Sequence, residues 1–235
     1  MVLDEQNVQY FQNKISDCKI FEILENTFKL FDNDFILTTS FGYSGIVLIH
    51  HAIQLMPSIP VYFIDTGYHF EETLKFSRKL REEWQLNLQI IRPKLSKTEL
   101  SDRFEGEPYL KNPDSCCYHN KVQPLLEIIH DKSVWISGIR RDQSSSRANI
   151  DLITRDKKGF LKLSPLYNWS KSRVWKYIRQ NNLPYHPLHD QHYPSIGCEP
   201  CTEKVLGHKD EREGRWPFSN KNECGIHQLS TPKST

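Results

Sequence analysis

A doubly wound, mainly parallel α/β sheet is the fold class this chain predicts, and three observations carry the prediction. Short β-branched and aromatic runs alternate with helical patterns from residue 35 to residue 91. The first two runs end in polar, glycine-bearing loops, the kind of strand end at which an open α/β sheet binds ligand. The 235 residues suffice for one such domain with a buried core. We expect residues 1–218 to form it, with an N-terminal helical layer, and residues 219–235 to form a mobile polar tail.

In order, residues 4–32 carry apolar Val8, Phe11 and Ile15, then Ile20, Ile23, Leu24, Phe28 and Phe31, at steps that predict helices. Cys18 among them reads as a packing thiol. Residues 35–39 predict a strand, and Ser40-Phe41-Gly42-Tyr43-Ser44-Gly45 follows, leading into a helix through Met56. Glycine lets backbone approach an anion, and free amides at a helix start face it. The loop lacks the Gly-Lys-Ser/Thr of a Walker motif. Val61–Ile64 is a second strand, ending in Asp65-Thr66-Gly67-Tyr68 before a helix from about 70 to 83. Residues 86–91 are a third.

Residues 92–114 read as a short helix and a loop. Asp114-Ser115 would cap a helix carrying Cys116, Cys117 and Lys121, easing ionisation of the thiols and setting Lys121 on the face of Cys117. Val134–Ser137 is a fourth strand, running into a loop with Arg140, Arg141 and Arg147, whose guanidinium groups suit phosphate or sulfate. Residues 149–154 and 160–163 form a fifth strand or a hairpin, and 170–181 a helix. The His-rich stretch 184–194 is loop, followed by Cys198-Glu199-Pro200-Cys201, then Arg212 and Arg215.

A net charge of +2 argues against a general nucleic-acid binder, and no apolar run approaches the ~20 residues of a membrane span. The polar, acidic N-terminus is unlike a secretory signal, so a cytoplasmic location is expected. In a reducing compartment six cysteines read as metal ligands or catalytic thiols rather than disulfides. A C-x-x-C alone suits zinc, iron–sulfur or redox chemistry. With Cys116-Cys117 it makes one candidate four-thiolate site, so the loop histidines are not needed as ligands. Cys224 stands alone on the tail and reads as a nucleophile that swings into a site. An anion loop, five loop arginines, a lysine, a sulfur site and a free thiol together suit a nucleotide-like polyanion attacked by a thiolate.

With these residues the chain resembles the assimilatory sulfonucleotide reductases, which reduce adenylyl sulfate or 3′-phosphoadenylyl sulfate to sulfite. The likeness is carried by SFGYSG at 40–45, FIDTGYHFEET at 63–73, CCYHNKVQPL at 116–125 and GIRRDQSSSR at 138–147. YPSIGCEPCT at 193–202, REGRW at 212–216 and KNECGIH at 221–227 complete it. It spans about residues 35–227, and the CC…CxxC set with ECGIH is its most specific part. The resemblance implies an adenine-nucleotide α-hydrolase-like fold, related to ATP pyrophosphatases. It implies a 4Fe–4S cluster on Cys116, Cys117, Cys198 and Cys201, with Lys121 between cluster and substrate. Ser40, Phe41, Gly42 and Tyr43 would hold the nucleotide, and Arg140, Arg147, Arg212 and Arg215 its charged groups. Cys224 would be the nucleophile with His227 nearby, and thioredoxin or glutaredoxin the reductant.

Cluster cysteines go with adenylyl sulfate in the family, so that substrate is expected. SFGYSG lacks the acidic residues of the SFGAED form and the arginine loop is one residue short, which leaves the 3′-phosphorylated substrate, or both, as the alternative. A tRNA sulfurtransferase would show an SGGxDS-like loop, and a zinc-stapled binding module would not need the tail cysteine. The sequence leaves the oligomeric state open, a homo-oligomer included.

Overall fold

The computed structural model describes residues 4–207 and 210–229. Helix α1 (Glu5–Ile15) starts where Asp4 accepts the Asn7 N–H at 2.8 Å, and α2 (Ile20–Phe31) follows it. Both bury the apolar faces their spacing predicts, from Val8 and Phe11 to Phe28 and Phe31. Strand and helix then alternate through β1 (Phe35–Thr39), α3 (Tyr43–Leu55), β2 (Val61–Ile64), α4 (Glu71–Glu83) and β3 (Leu88–Ile91). The third strand thus starts two residues later than its apolar run suggests.

Residues 92–114, expected as one helix and a loop, hold two short helices, α5 (Lys97–Phe104) and α6 (Pro108–Lys111), and the start of α7 (Pro113–Cys117), the helix expected to carry Cys116 and Cys117. A capping box opens α5: Ser96 Oγ accepts the Glu99 N–H at 3.2 Å, and Glu99 Oε2 accepts the Ser96 N–H at 2.7 Å. Pro108 and Pro113 lie at first-turn positions, where a missing N–H costs nothing, so they start helices rather than break them. A π-turn, Tyr118–Val122, joins α7 to α8 (Gln123–Ile129).

The sheet is completed by β4 (Val134–Ile136), β5 (Ile153–Arg155) and β6 (Leu161–Leu163), in the order β3-β2-β1-β4-β6-β5. All neighbours run parallel except β5 and β6, which form the hairpin anticipated around Gly159. Alternate residues face opposite layers. Phe35 and Leu37, Val134 and Ile136, and Leu161 and Leu163 pack under α2, α3 and α9 (Lys171–Gln180), whereas Ile36 and Trp135 pack under α8. Full burial of each such side chain contributes about 1.5–3 kcal/mol.

Chain order reverses beside β1, where β2 lies on one side and β4 on the other. Loops leaving the carboxyl ends of adjacent parallel strands part at such a point and open a crevice. Here they are the loops after β1 and β4. Gly138 lets them meet, because a Cβ there would stand 3.2 Å from Gly45 N and from Ser44 C and O. All three are backbone atoms of the α3 start and cannot swing away. Gly138→Ala should cost about 1–3 kcal/mol as an overpacked site. The check is the urea midpoint, and an unchanged midpoint would mean that the loops do not touch.

Candidate active site

The crevice is a cavity of about 190 Å³. Thr38 to Ser40 and Gly42 to Gly45 line it, together with Ser137 to Ile139, His189 and 194–197. Lys121, Arg147, Arg212, Arg215, Cys224 and His227 close it. Four separate stretches of sequence therefore bring cations and one thiol into a single enclosure.

In the first loop, Phe41 takes φ +59°, a strained left-handed backbone for a non-glycine residue. Its N–H is held by Thr39 Oγ1 at 2.9 Å, and its ring is fully buried against Phe63 and Phe76. Its side chain is therefore core, and it is the turn it enforces that aims Ser40 and Gly42 at the cavity. Tyr43 lines the cavity too, but its ring stacks on Trp175 at 5.2 Å and its hydroxyl donates to Glu211 Oε2. Burial, then Glu211, raises its pKa, so the phenol stays neutral.

Arg140 does not reach the cavity. It is fully buried, with Nη1 donating to Ser44 Oγ, Nη2 to Glu211 Oε2 at 2.9 Å and Nε to Asp142 Oδ1 at 2.8 Å. It ties the loops after β1 and β4 to residue 211. Arg141 turns outward to Asp151 at 2.8 Å. Of the three arginines in that loop, only Arg147 faces the site.

The four cysteines converge from two segments. Cys116, Cys117, Cys198 and Cys201 line one small pocket with Tyr68, Tyr109 and Trp216, and none forms a disulfide. Cys198 and Cys201 are held by backbone: Glu199 N–H to Tyr68 O at 2.7 Å, Trp216 N–H to Cys201 O at 3.0 Å and Thr202 Oγ1 to Cys198 O at 2.8 Å. Arg215 lies across Gly197, where a Cβ would stand 2.1 Å from its Nη2, and its Nε donates to Cys201 O at 3.2 Å. Among the described residues, no three His, Cys, Asp or Glu side chains converge as ligands of a single metal ion.

Two expectations for Cys116-Cys117 change. The cap of α7 is Asn112, whose Oδ1 accepts the Ser115 N–H at 2.9 Å, and the cysteines close the helix rather than open it. Their ionisation is not eased: burial and then Cys198 push the Cys116 thiol up to about 11. Burial and Cys198 likewise push Cys201 up to about 12. The spacing from Cys117 to Lys121 is also not that of an α-helix but of the π-turn. Lys121 consequently borders both the sulfur pocket and the larger cavity. Burial disfavours its charge, but Cys198, Cys224 and Cys117 outweigh burial and raise its pKa.

The segment expected as a tail is docked through Leu229. Residues 230–235 lie outside the described residues. Lys221 pairs with Asp114. Cys224 is buried against Cys117, and Gly225 opens the one-turn helix α10 (Gly225–Gln228). A hydrogen bond from Cys117 holds the Cys224 thiol well below the ordinary range; Lys121 acts the same way, and burial opposes them. His227 stacks on Trp135 at 5.5 Å and 8°. Burial and then Arg147 lower its pKa to about 3, so it is neutral and cannot act as a resident cation.

Sequence reasoning gave no role to Glu223, Glu211, Gln143, His69 or Trp135. Glu223 sits between Arg147 and Arg212, and its proximity to Cys224 in an arginine-rich site was the available signal. His69 was missed because its Nε2–H donates to Ile64 O at 3.0 Å only once the loop after β2 folds back. Of the histidines in 184–194, His186 bonds Thr73 at 2.9 Å and the Nδ1–H of His189 donates to Tyr193 O at 2.8 Å.

Residues 34–204 match the phosphoadenosine phosphosulfate reductase domain family. The chain belongs to that family. It is 39% identical over 214 residues to an adenosine 5′-phosphosulfate reductase of Staphylococcus haemolyticus, covering 90% of this chain and 88% of the relative. A phosphoadenylyl-sulfate reductase from Candida auris, solved as a phosphate complex, superposes with a TM-score of 0.73 at 26% identity, covering 87% of this chain and 99% of that one. A Candida glabrata FMN adenylyltransferase, with a TM-score of 0.58 at 16% identity over 93% of this chain and 75% of that one, shares the fold alone. The sheet order and these neighbours give the adenine-nucleotide α-hydrolase-like fold expected of the family.

Because Arg140 braces the loops, its replacement should act through stability. Arg140→Met leaves Glu211 buried without its charge partner, a loss of about 3–5 kcal/mol. Chemical denaturation checks this, and a variant as stable as the parent but unable to bind nucleotide would return Arg140 to the substrate.

Proposed function

We propose that the protein is a thiol-dependent reductase converting adenylyl sulfate to sulfite and AMP in assimilatory sulfate reduction, in the cytoplasm. The observation that carries this reading is the burial of Cys224 beside Lys121 in a cavity that Arg147, Arg212 and Arg215 also line. The name of the bacterial relative supports adenylyl sulfate as substrate. The name of the fungal structure keeps the 3′-phosphorylated form as the second reading.

The chemistry follows from the chain's own groups. The Cys224 thiolate attacks the sulfate sulfur, an S–S bond forms, and the bond from sulfur to the bridging oxygen breaks, so AMP leaves with both electrons. Cys224 becomes an S-sulfocysteine. Lys121, Arg212 and Arg215 offset the charge that builds on the sulfonyl and phosphate oxygens. The α3 N-terminus, reached through Ser40 and Gly42, faces the nucleotide phosphate. The tail then opens, and one thiol of thioredoxin or glutaredoxin attacks the Cys224 sulfur. Sulfite leaves, and the second reductant thiol resolves the mixed disulfide, supplying two electrons in all.

Cys116, Cys117, Cys198 and Cys201 would hold a 4Fe–4S cluster. Each iron of a cluster takes its own thiolate, so the sulfurs need not converge on one point, unlike the ligands of zinc. Asn120 Nδ2 at 3.5 Å from Cys116 Sγ and Thr66 Oγ1 at 3.5 Å from Cys198 Sγ fit the hydrogen bonding such sulfurs receive. When bound, the cluster supplies fixed negative charge and rigidity next to Lys121.

Turnover of the two sulfonucleotides with reduced thioredoxin tests substrate and reaction together. Cys224→Ser should release no sulfite yet keep the visible absorption of the anaerobically purified protein. Full activity in that variant would end the nucleophile reading, and a colourless, zinc-loaded protein the cluster reading.

A further inference from the structure

We propose that Glu223 is the latch that positions the nucleophile, and that Arg147 is its receptor rather than a ligand of the substrate's phosphosulfate. The inference rests on Cys224 being the attacking thiol.

The geometry is a two-pronged fork. Arg147 Nε donates to Glu223 Oε2 at 2.6 Å and Nη2 to Oε1 at 2.7 Å, while Nη1 donates to Gln143 Oε1. Every nitrogen of this guanidinium is engaged. Bidentate pairs of this kind fix direction as well as distance. Arg212 adds a contact to Oε1 at 3.0 Å, but its own Nε is buried and without a partner. The same Oε1 accepts the backbone N–H of Cys224 at 2.7 Å. One carboxylate therefore connects the wall of the cavity to the peptide unit that carries the nucleophile. Glu223 is 7% exposed. Arg147 and then Arg212 overcome burial and hold its carboxyl down at about 2, so the latch is charged at any working pH.

The rest of the tail makes this anchor matter. Helix α10 is a single turn, and no side chain caps its start. On its other side, Gly225 lies so close to the end of α7 and to the π-turn that a Cβ would stand 3.3 Å from Cys117 Cβ and 3.4 Å from Val122 Cγ2. Cys224 is thus pinned between Cys117 and the Glu223–Arg147 pair. The roles of the cations divide: Arg147 receives the tail, while the free Nε of Arg212, with Arg215 and Lys121, is left for the substrate anion.

The test uses the full-length holoprotein. Without substrate, iodoacetamide labelling of Cys224 is followed on its peptide at a pH where labelling no longer rises. With adenylyl sulfate and reduced thioredoxin, kcat and KM are measured separately. Glu223→Gln keeps the shape and removes the charge. Its Cys224 labelling should rise about tenfold as the tail samples open states. Its kcat should fall roughly 10- to 100-fold through misplacement of the thiol, with KM within about threefold of the parent. Glu223→Asp keeps the charge on a shorter arm and should fall between the two, so it serves where the glutamine variant does not fold. Unchanged labelling and kcat, or a loss confined to KM, would overturn the latch. The labelling arm needs no sulfonucleotide, so it fails or holds separately from the reaction itself, which Cys224→Ser decides.

Discussion

Lys121, Arg147, Arg212 and Arg215 share one crevice, and that concentration of positive charge is the constraint the rest of the site answers. Its effect is visible in Arg212, which burial and then Arg147 lower to about 10, far down for a guanidinium. Like charges withdrawn from water repel more strongly than on a surface. Such a cluster persists only if anions are placed among it. Glu223 supplies one and the Cys224 sulfur another, and both arrive on the same short stretch of tail. Docking of the tail is thus a response to the cations, and the burial of Cys224 is a consequence of that docking.

The cations are held where they are by neutral or self-paired groups. Arg140 is satisfied by Glu211, Asp142 and Ser44 beneath the cavity and adds no unpaired charge to it. Tyr43 and His227 are both kept neutral by burial. Arg215 is fixed by Cys201 O and by the close approach to Gly197. The sulfur pocket and the cavity are therefore not independent: a shift of the Cys198–Cys201 turn moves Arg215, and a shift of the π-turn moves Lys121.

The sheet and most helices were legible because period-2 and period-3.6 patterns are local. Phe35-Ile36-Leu37 and Val61–Ile64 could hardly be anything else. The convergence of Cys116-Cys117 with Cys198 and Cys201 was legible from cysteine spacing alone. Less legible was whatever depends on partners distant in sequence. Arg140 and Arg147 lie seven residues apart in one loop, and only tertiary packing decides that one meets Glu211 and the other Glu223. Phe41 read as part of a ligand loop because its left-handed backbone leaves no mark on composition. The π-turn was hidden because its residues suit an α-helix equally well. Docking of 219–229 was hidden because its anchors are charged residues, which on their own predict exposure.

Counted over the crevice groups alone, apart from any charge held in the sulfur pocket, the cations are matched only with ligand present. Glu223 and a Cys224 thiolate match two of the four cations. Under the proposed reaction, adenylyl sulfate brings one charge on its phosphate and one on its sulfate, which match the other two. Attack moves charge without changing the total: the thiolate becomes a singly charged S-sulfocysteine, and the phosphate of AMP takes the charge given up. A site balanced before and after the step has little electrostatic reason to expel either product. Release then falls to a mechanical event, the opening of the tail, which breaks the Glu223–Arg147 fork and bares the cations to water. On the proposed reaction, this gives a physical reason for carrying the attacking thiol on a separate segment rather than on the sheet: the element that closes the charge balance is the one that can leave.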